Sequence, residues 1–211
     1  MSKGKRLGEK QRKYLPLKRA LDLILSVIAL IILSPVYIII AVAIKADSKG
    51  PVLFKQKRVG KNKELFEIWK FRTMKVDTPK NMPTHLLKSP DHYITRVGKI
   101  LRKTSLDELP QIFQIAAGQM SIIGPRPALW NQYDLIAERD KGLSNQILPG
   151  LTGWAQIHGR DELEIETKAE YDNYYAEHMS LLLDIKCFFA TIISVLKHEG
   201  VVEGGTGRKN G

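Results

Sequence analysis

Hydrophobic and polar positions alternate along this chain in three distinct ways. From Leu23 to Ile44 the residues are uncharged throughout, interrupted near the middle by Ser34-Pro35. Written as a straight helix that run is ~33 Å long, enough to cross a bilayer. Val52 to Gln56 and Leu65 to Arg72 read as two strands, with Gly60-Lys61-Asn62 supplying the turn between them. In the second strand a period of two puts Phe66, Ile68, Lys70 and Arg72 on one face. Residues 161 to 178 form an amphipathic helix rich in Glu and Tyr. Ser180 caps the next helix, Leu181 to His198, which is apolar around most of its circumference and ends at Gly200. Asp184 and Lys186 are too central for that helix to span, so it belongs to the core or the membrane interface. Tyr93 to Arg102 also reads as helix, Thr78 to Pro90 as an irregular loop with three prolines, and Glu203 to Gly211 as a Gly-rich tail.

Charge changes the meaning of the long apolar run. Lys3, Lys5, Arg6, Lys10, Arg12, Lys13, Lys18 and Arg19 precede it, and Lys45, Lys49, Lys55, Lys57, Arg58, Lys61 and Lys63 follow it. Excess cations belong on the cytoplasmic side, so both flanks stay there only if the helix enters the membrane, bends and returns. Pro35 removes the hydrogen bond to Ile31, and Ser34 is placed to satisfy the freed backbone, which lipid cannot do. The pair Ser34 and Pro35 therefore marks the expected bend. A signal peptide fits less well, because the run is too long and Pro35 lies too far from Ala41-Val42-Ala43.

The 211 residues suffice for one domain with a sizeable core. The expected organisation is a basic segment over 1–19, a re-entrant membrane helix over 20–46, a catalytic domain over 47–202 and a tail over 203–211. A net charge of +11 and a pI near 9.7 point to anionic partners: lipid headgroups, phosphorylated substrates or nucleic acid. Much of the excess flanks the apolar run, where it suits an anionic bilayer, and no DNA- or RNA-reading motif is present; no nucleic-acid partner is expected. Cys187 stands alone, so no internal disulfide forms, and no Walker or Rossmann glycine fingerprint occurs.

Candidate chemistry concentrates in Arg102-Lys103-Thr104-Ser105-Leu106-Asp107-Glu108-Leu109-Pro110-Gln111. Ser105 and Glu108 have capping-box spacing, which would start a helix there. Alternatively a tight turn covers Ser105 to Leu109, with Pro110 as first helical residue and Gly118 past the end. On either reading the acids lie at or before a helix N-terminus. Neighbouring helical positions are ~100° apart, so Asp107 and Glu108 divide the work rather than share it, for example as nucleophile and metal ligand. Lys70 and Arg72 would clamp phosphate oxygens from one strand end. Arg126, fixed between Pro125 and Pro127, presents a guanidinium at low entropic cost. Trp154 and His158 either line a pocket or pack.

These pieces together resemble the bacterial sugar transferase family, the monotopic phosphoglycosyl transferases. The resemblance runs from about Leu17 to Val202. It rests on Lys18-Arg19-Ala20-Leu21-Asp22, Ser34-Pro35, Lys70-Phe71-Arg72-Thr73-Met74 and Ser105-Leu106-Asp107-Glu108-Leu109-Pro110-Gln111. It continues through Met120-Ser121-Ile122-Ile123-Gly124-Pro125-Arg126-Pro127 and Pro149-Gly150-Leu151-Thr152-Gly153-Trp154-Ala155-Gln156. It implies the compact catalytic form of the family: a mixed α and β fold with a re-entrant helix, a β-hairpin and surrounding helices in one cytoplasmic domain, and interfacial amphipathic helices. It implies transfer of a sugar 1-phosphate from a UDP-sugar to polyprenol phosphate at the bacterial inner membrane, with release of UMP, Mg²⁺ and a covalent intermediate. By the same match Asp107 is the nucleophile, Glu108 a Mg²⁺ ligand, and Lys70, Arg72, Arg102 and Arg126 contact phosphate or nucleotide, with Gln111 near the same site. The competing expectations are a membrane-tethered nucleic-acid-binding module and a nucleotide-sugar hydrolase.

Overall fold

The computed structural model describes residues 6–78, 92–159 and 163–197. Helix α1 (Glu9–Asp47) runs unbroken through Pro16 and Pro35, ~58 Å if straight. It begins well inside the basic segment, because Tyr14, Lys18 and Arg19 are held by the domain beside it rather than left to solvent. Ser34 Oγ donates to Ile31 O at 2.9 Å, the carbonyl that Pro35 leaves without its helical partner. Ile31, Ile32, Ile38, Ile39 and Val42 are exposed, and among the described residues this is the one helix long and apolar enough to cross a membrane.

Both halves of α1 nevertheless grip the same folded unit. In the first half, Tyr14 and Lys18 bond Asp184, Arg19 bonds Ile115 O and Ala116 O, and Asp22 accepts from Ile122 N. In the second, Ile40 and Ile44 pack with Phe71 and Leu101, and Asp47 accepts from Val97 N.

The hairpin pairs β1 (Leu53–Val59) antiparallel with β2 (Leu65–Phe71), Leu53 facing Phe71 and Val59 facing Leu65. Strand β1 extends past the predicted Gln56, because Lys57 pairs opposite Glu67 and Arg58 opposite Phe66. Its turn is a 3₁₀ segment over Lys61–Lys63 in which Asn62 takes the left-handed conformation that Asn tolerates. Helix α2 (Arg96–Lys103) starts later than the predicted Tyr93. Ile94 bridges to Met74, and Thr95 caps the helix through Gly98 N at 2.9 Å. The short helix α3 (Gln111–Ala116) lies against α1.

Short elements escaped the sequence pattern. Helix α4 (Tyr133–Asp140) is one. Another is α5 (Trp154–Ile157), in the stretch read as a loop. A third is a parallel pair of three-residue strands, β3 (Ser121–Ile123) and β4 (Gly150–Thr152). They come so close that a Cβ on Gly150 would sit 2.1 Å from Gly124 N, and one on Gly153 2.0 Å from Gly124 O. Short α5 (Trp154–Ile157), α6 (Ile165–His178) and α7 (Leu181–Lys197) complete the fold. Tyr175, Ala176, Met179 and Cys187 join Ile123, Leu143 and Ile147 in one core cluster. The outer face of α7 exposes Leu182, Phe188, Phe189 and Ile193. The predicted helix end at Gly200, the tail 203–211 and most of the loop 78–90 lie outside the described residues.

Candidate active site

The acidic pair sits on a tight turn, not inside a helix. Ser105 takes φ +55°, a 3₁₀ turn covers Leu106–Glu108, and Pro110 precedes α3, with Gly118 past its end at φ +83°. Ser105 makes no capping bond with its side chain, so the capping-box alternative is not used. Proline fits where it stands, because a residue at a helix start needs no donated N–H.

Three separate segments bring cations to this turn. Lys70 Nζ, from β2, lies 2.7 Å from Glu108 Oε1 and 3.7 Å from Asp107 Oδ2. Arg126, beyond β3, reaches Glu108 Oε1 at 2.6 Å through Nη2 and Oε2 at 3.4 Å through Nη1. Arg102, at the end of α2, donates from Nε to Thr73 Oγ1 at 2.9 Å, and its charge acts on Asp107. Gln111 is buried one turn after Glu108, with its Nε2 hydrogen-bonded to no described group.

The two acids titrate in opposite directions. Burial raises the Asp107 pKa above the ordinary carboxylate value; Lys70 opposes the shift, the Glu108 charge adds to it, and Arg102 and Arg126 offset part. Burial also works against a charged Glu108, but Arg126 and Lys70, through charge and hydrogen bonds, outweigh it and hold that carboxyl well below its usual value. Neighbouring groups with pKa values driven apart fit separate chemical roles.

Arg72 departs from its predicted place. Its guanidinium is buried and donates to Lys49 O at 2.5 Å and Ser48 O at 2.7 Å, closing the C-terminal end of α1. Strand β2 ends at Phe71, so the alternation that aligned Arg72 with Lys70 stops one residue short, and the carbonyls of Ser48 and Lys49, at and just past the C-cap of α1, take up the guanidinium. Arg72 is thus not brought to the dyad; Lys70, Arg102 and Arg126 are. The rings of Trp154 and His158 lie 4.3 Å apart, tilted at 50°, and continue into Tyr174 and Tyr171, with His158 Nδ1 2.7 Å from Trp154 O. Both therefore pack in an aromatic ladder.

Sequence reasoning missed the support behind Arg126. Arg139 Nη2 donates to Arg126 O at 2.9 Å and to Asp172 Oδ2 at 2.5 Å, a pair sealed from water. The available signal was an Arg and an Asp on the inner faces of two amphipathic helices, which periodicity cannot distinguish from solvated charge.

Mg²⁺ is usually held by one or two carboxylates together with substrate phosphates. Among the described residues no group of three or more His, Cys, Asp or Glu could cage a metal. The carboxylate of Glu108 has the donor chemistry for that smaller requirement, and its Oε2 makes only the longer contact, 3.4 Å, with Arg126.

The family model described as bacterial sugar transferase matches residues 13–198. The chain is 43% identical over 184 residues to the UDP-glucose:undecaprenyl-phosphate glucose-1-phosphate transferase of Escherichia coli K12, covering 83% of this chain and 39% of that protein. It is 39% identical over 191 residues to the UDP-N-acetylgalactosamine-undecaprenyl-phosphate N-acetylgalactosaminephosphotransferase of Aeromonas hydrophila, covering 87% and 44%. With the exopolysaccharide production protein ExoY of Sinorhizobium fredii it shares 34% identity over 200 residues, 87% of each chain. The chain thus spans about two-fifths of the length of the first two relatives and most of the third. The chain belongs to the bacterial sugar transferase family.

Proposed function

We propose that this protein transfers a sugar 1-phosphate from a UDP-sugar to polyprenol phosphate at the inner face of the bacterial cytoplasmic membrane. The observation that carries the reading is the convergence of Lys70, Arg102 and Arg126 on a buried Asp107–Glu108 pair. A nucleoside diphosphate repels a carboxylate nucleophile, so cations must offset its charge before attack. The names of the undecaprenyl-phosphate sugar phosphotransferases to which the chain is similar support the same reaction class.

In the first step an ionised Asp107 oxygen attacks the sugar-linked phosphorus. The bond from that phosphorus to the bridging oxygen breaks, and UMP leaves with the electron pair. In the second, a phosphate oxygen of the polyprenol phosphate attacks the same phosphorus, forming the lipid diphosphate and returning Asp107 as a free carboxylate. Two steps let the soluble and lipid substrates be bound in turn. Glu108 would hold Mg²⁺, which when bound neutralises phosphate charge. Lys70 and Arg126 orient Glu108, while Arg102 and Lys70 favour the ionised form of Asp107.

The lipid substrate gives α1 its purpose. Attachment of both its halves to one domain, with an exposed apolar middle, supports a helix that enters the bilayer, bends at Ser34-Pro35 and returns. The exposed apolar face of α7 would rest in the interface. The reaction is tested by supplying undecaprenol phosphate and Mg²⁺ with a panel of UDP-sugars and measuring UMP. Catalytic UMP release that needs the lipid, stops in EDTA and returns with Mg²⁺ is expected. Turnover without lipid would mark a hydrolase, and full activity in chelator would remove Glu108 from a metal role.

A further inference from the structure

Helix α1 does more than hold the domain near a membrane: its side chains seize the backbone of the catalytic segment itself. Arg19 donates to Ile115 O at 2.6 Å and Ala116 O at 2.8 Å, closing the end of α3, and Asp22 accepts from Ile122 N at 2.9 Å in β3. Tyr37, two residues after Pro35, donates its hydroxyl to Leu109 O at 2.6 Å. Leu109 directly follows Glu108, so of these contacts Tyr37 makes the one on the dyad turn.

That turn is poorly equipped to hold its own shape. It opens on Ser105 at φ +55°, a conformation that non-glycine residues avoid. Its internal hydrogen bonds, Glu108 N to Ser105 O and Leu109 N to Leu106 O, are both 3.3 Å long. No side-chain cap reinforces it. Leu109 O is where the turn passes into α3, since it also accepts from Ile112 N at 3.0 Å. The Tyr37 ring is itself fixed, tilted against Phe71 at 5.7 Å and edge-on to Phe113 at 5.4 Å. Phe71 follows Lys70, so one ring contacts the strand that carries the cation and, through its hydroxyl, the turn that carries the acids.

We propose that Tyr37 is a positioning residue for the reaction: from within the apolar helix its hydroxyl fixes the backbone on which Asp107 and Glu108 are carried. The inference rests on the phosphosugar-transfer reading for its kinetic consequence, but not for its structural one. Tyr37→Phe keeps both ring contacts and removes the hydroxyl alone. In the full chain reconstituted in bilayer nanodiscs, kcat for UMP release should fall roughly 10- to 100-fold, the scale of a small misplacement of reacting groups. KM for the UDP-sugar should stay within about twofold, since the ground-state contacts remain. Hydrogen exchange of the Tyr37→Phe protein should accelerate by about fivefold or more in the peptide covering residues 105–113, with the hairpin and α6 unchanged. Unchanged exchange over 105–113 would overturn the proposal, as would a kcat within twofold of wild type. Faster exchange spread over the whole domain would identify a general packing role and overturn it equally. If wild-type protein releases UMP from no UDP-sugar, the functional reading fails, and the exchange comparison alone decides the role of Tyr37.

Discussion

Two of the clusters of buried charge among the described residues are built to opposite specifications. Behind Arg126, Arg139 and Asp172 form a pair of one cation and one anion, with side chains only 3% and 1% exposed. At the dyad, two carboxylates meet three cations, and Lys70, Glu108 and Arg126 keep 20%, 18% and 32% exposure. The first cluster is sealed: Arg139 donates twice to Asp172 Oδ2, while Asp172 Oδ1 is buried without a hydrogen-bond partner. The second sets three cations around two carboxylates and leaves part of their surface exposed, where an anionic ligand can reach it. A closed buried pair serves to hold a backbone in place; an open, unbalanced one keeps electrostatic capacity for a substrate.

The largest effects should separate the clusters cleanly. Asp107→Asn removes the proposed nucleophile and should lower UMP release by more than about 1,000-fold. It should leave stability at neutral pH equal to or above wild type. The sign follows from the raised folded-state pKa of Asp107: its stabilising contribution is full below the unfolded pKa and lost as pH rises through the folded one. At neutral pH the ionised acid is therefore a burden that Asn lifts, and the difference should shrink as pH falls below the ordinary carboxylate range. Urea unfolding at two pH values checks this; a large loss of stability in Asp107→Asn at neutral pH would contradict it.

Asp172→Ala should behave in reverse. It strands the Arg139 guanidinium in the interior and should cost about 3–5 kcal/mol of stability. Replacing both partners with apolar residues of similar volume should restore most of that loss. If Asp172→Ala unfolds at the wild-type urea concentration, the pair is not the brace that its geometry indicates.

A smaller effect sharpens the view of the open cluster. In metal-free protein, the Asp107 carboxyl should titrate above the usual carboxylate range, and Lys70→Met should push its midpoint higher, because Lys70 is the strongest influence favouring the ionised form. Carbon-detected NMR on labelled aspartate reads both midpoints. A lower midpoint in Lys70→Met would reverse the electrostatic assignment.

How much of this was legible beforehand depended on the range of the physics involved. The hairpin, the apolar helix with Ser34-Pro35 and α7 follow from local periodicity, and the turn at Asp107 was one of two local alternatives. Lys70 and Arg126 were recognisable because strand alternation and flanking prolines restrict where a side chain points. Arg72 was misplaced for the same reason: alternation ended at Phe71, and the carbonyls at the end of α1 lie far away in sequence. Tyr37 lay hidden in an apolar run where a tyrosine reads as bulk, and its acceptor at Leu109 is a backbone atom with no residue signature. The β3–β4 pairing joins three-residue strands too short for a period to show.

The division of labour between Asp107 and Glu108 is the central claim, and intact-protein and peptide mass spectrometry tests it most directly. Wild-type enzyme incubated with Mg²⁺ and its UDP-sugar, but no polyprenol phosphate, should gain the mass of one sugar phosphate on Asp107, with one UMP released per adduct. Adding polyprenol phosphate should discharge it. An adduct on Glu108, or rapid turnover with lipid present but no adduct on Asp107 without it, would contradict the account.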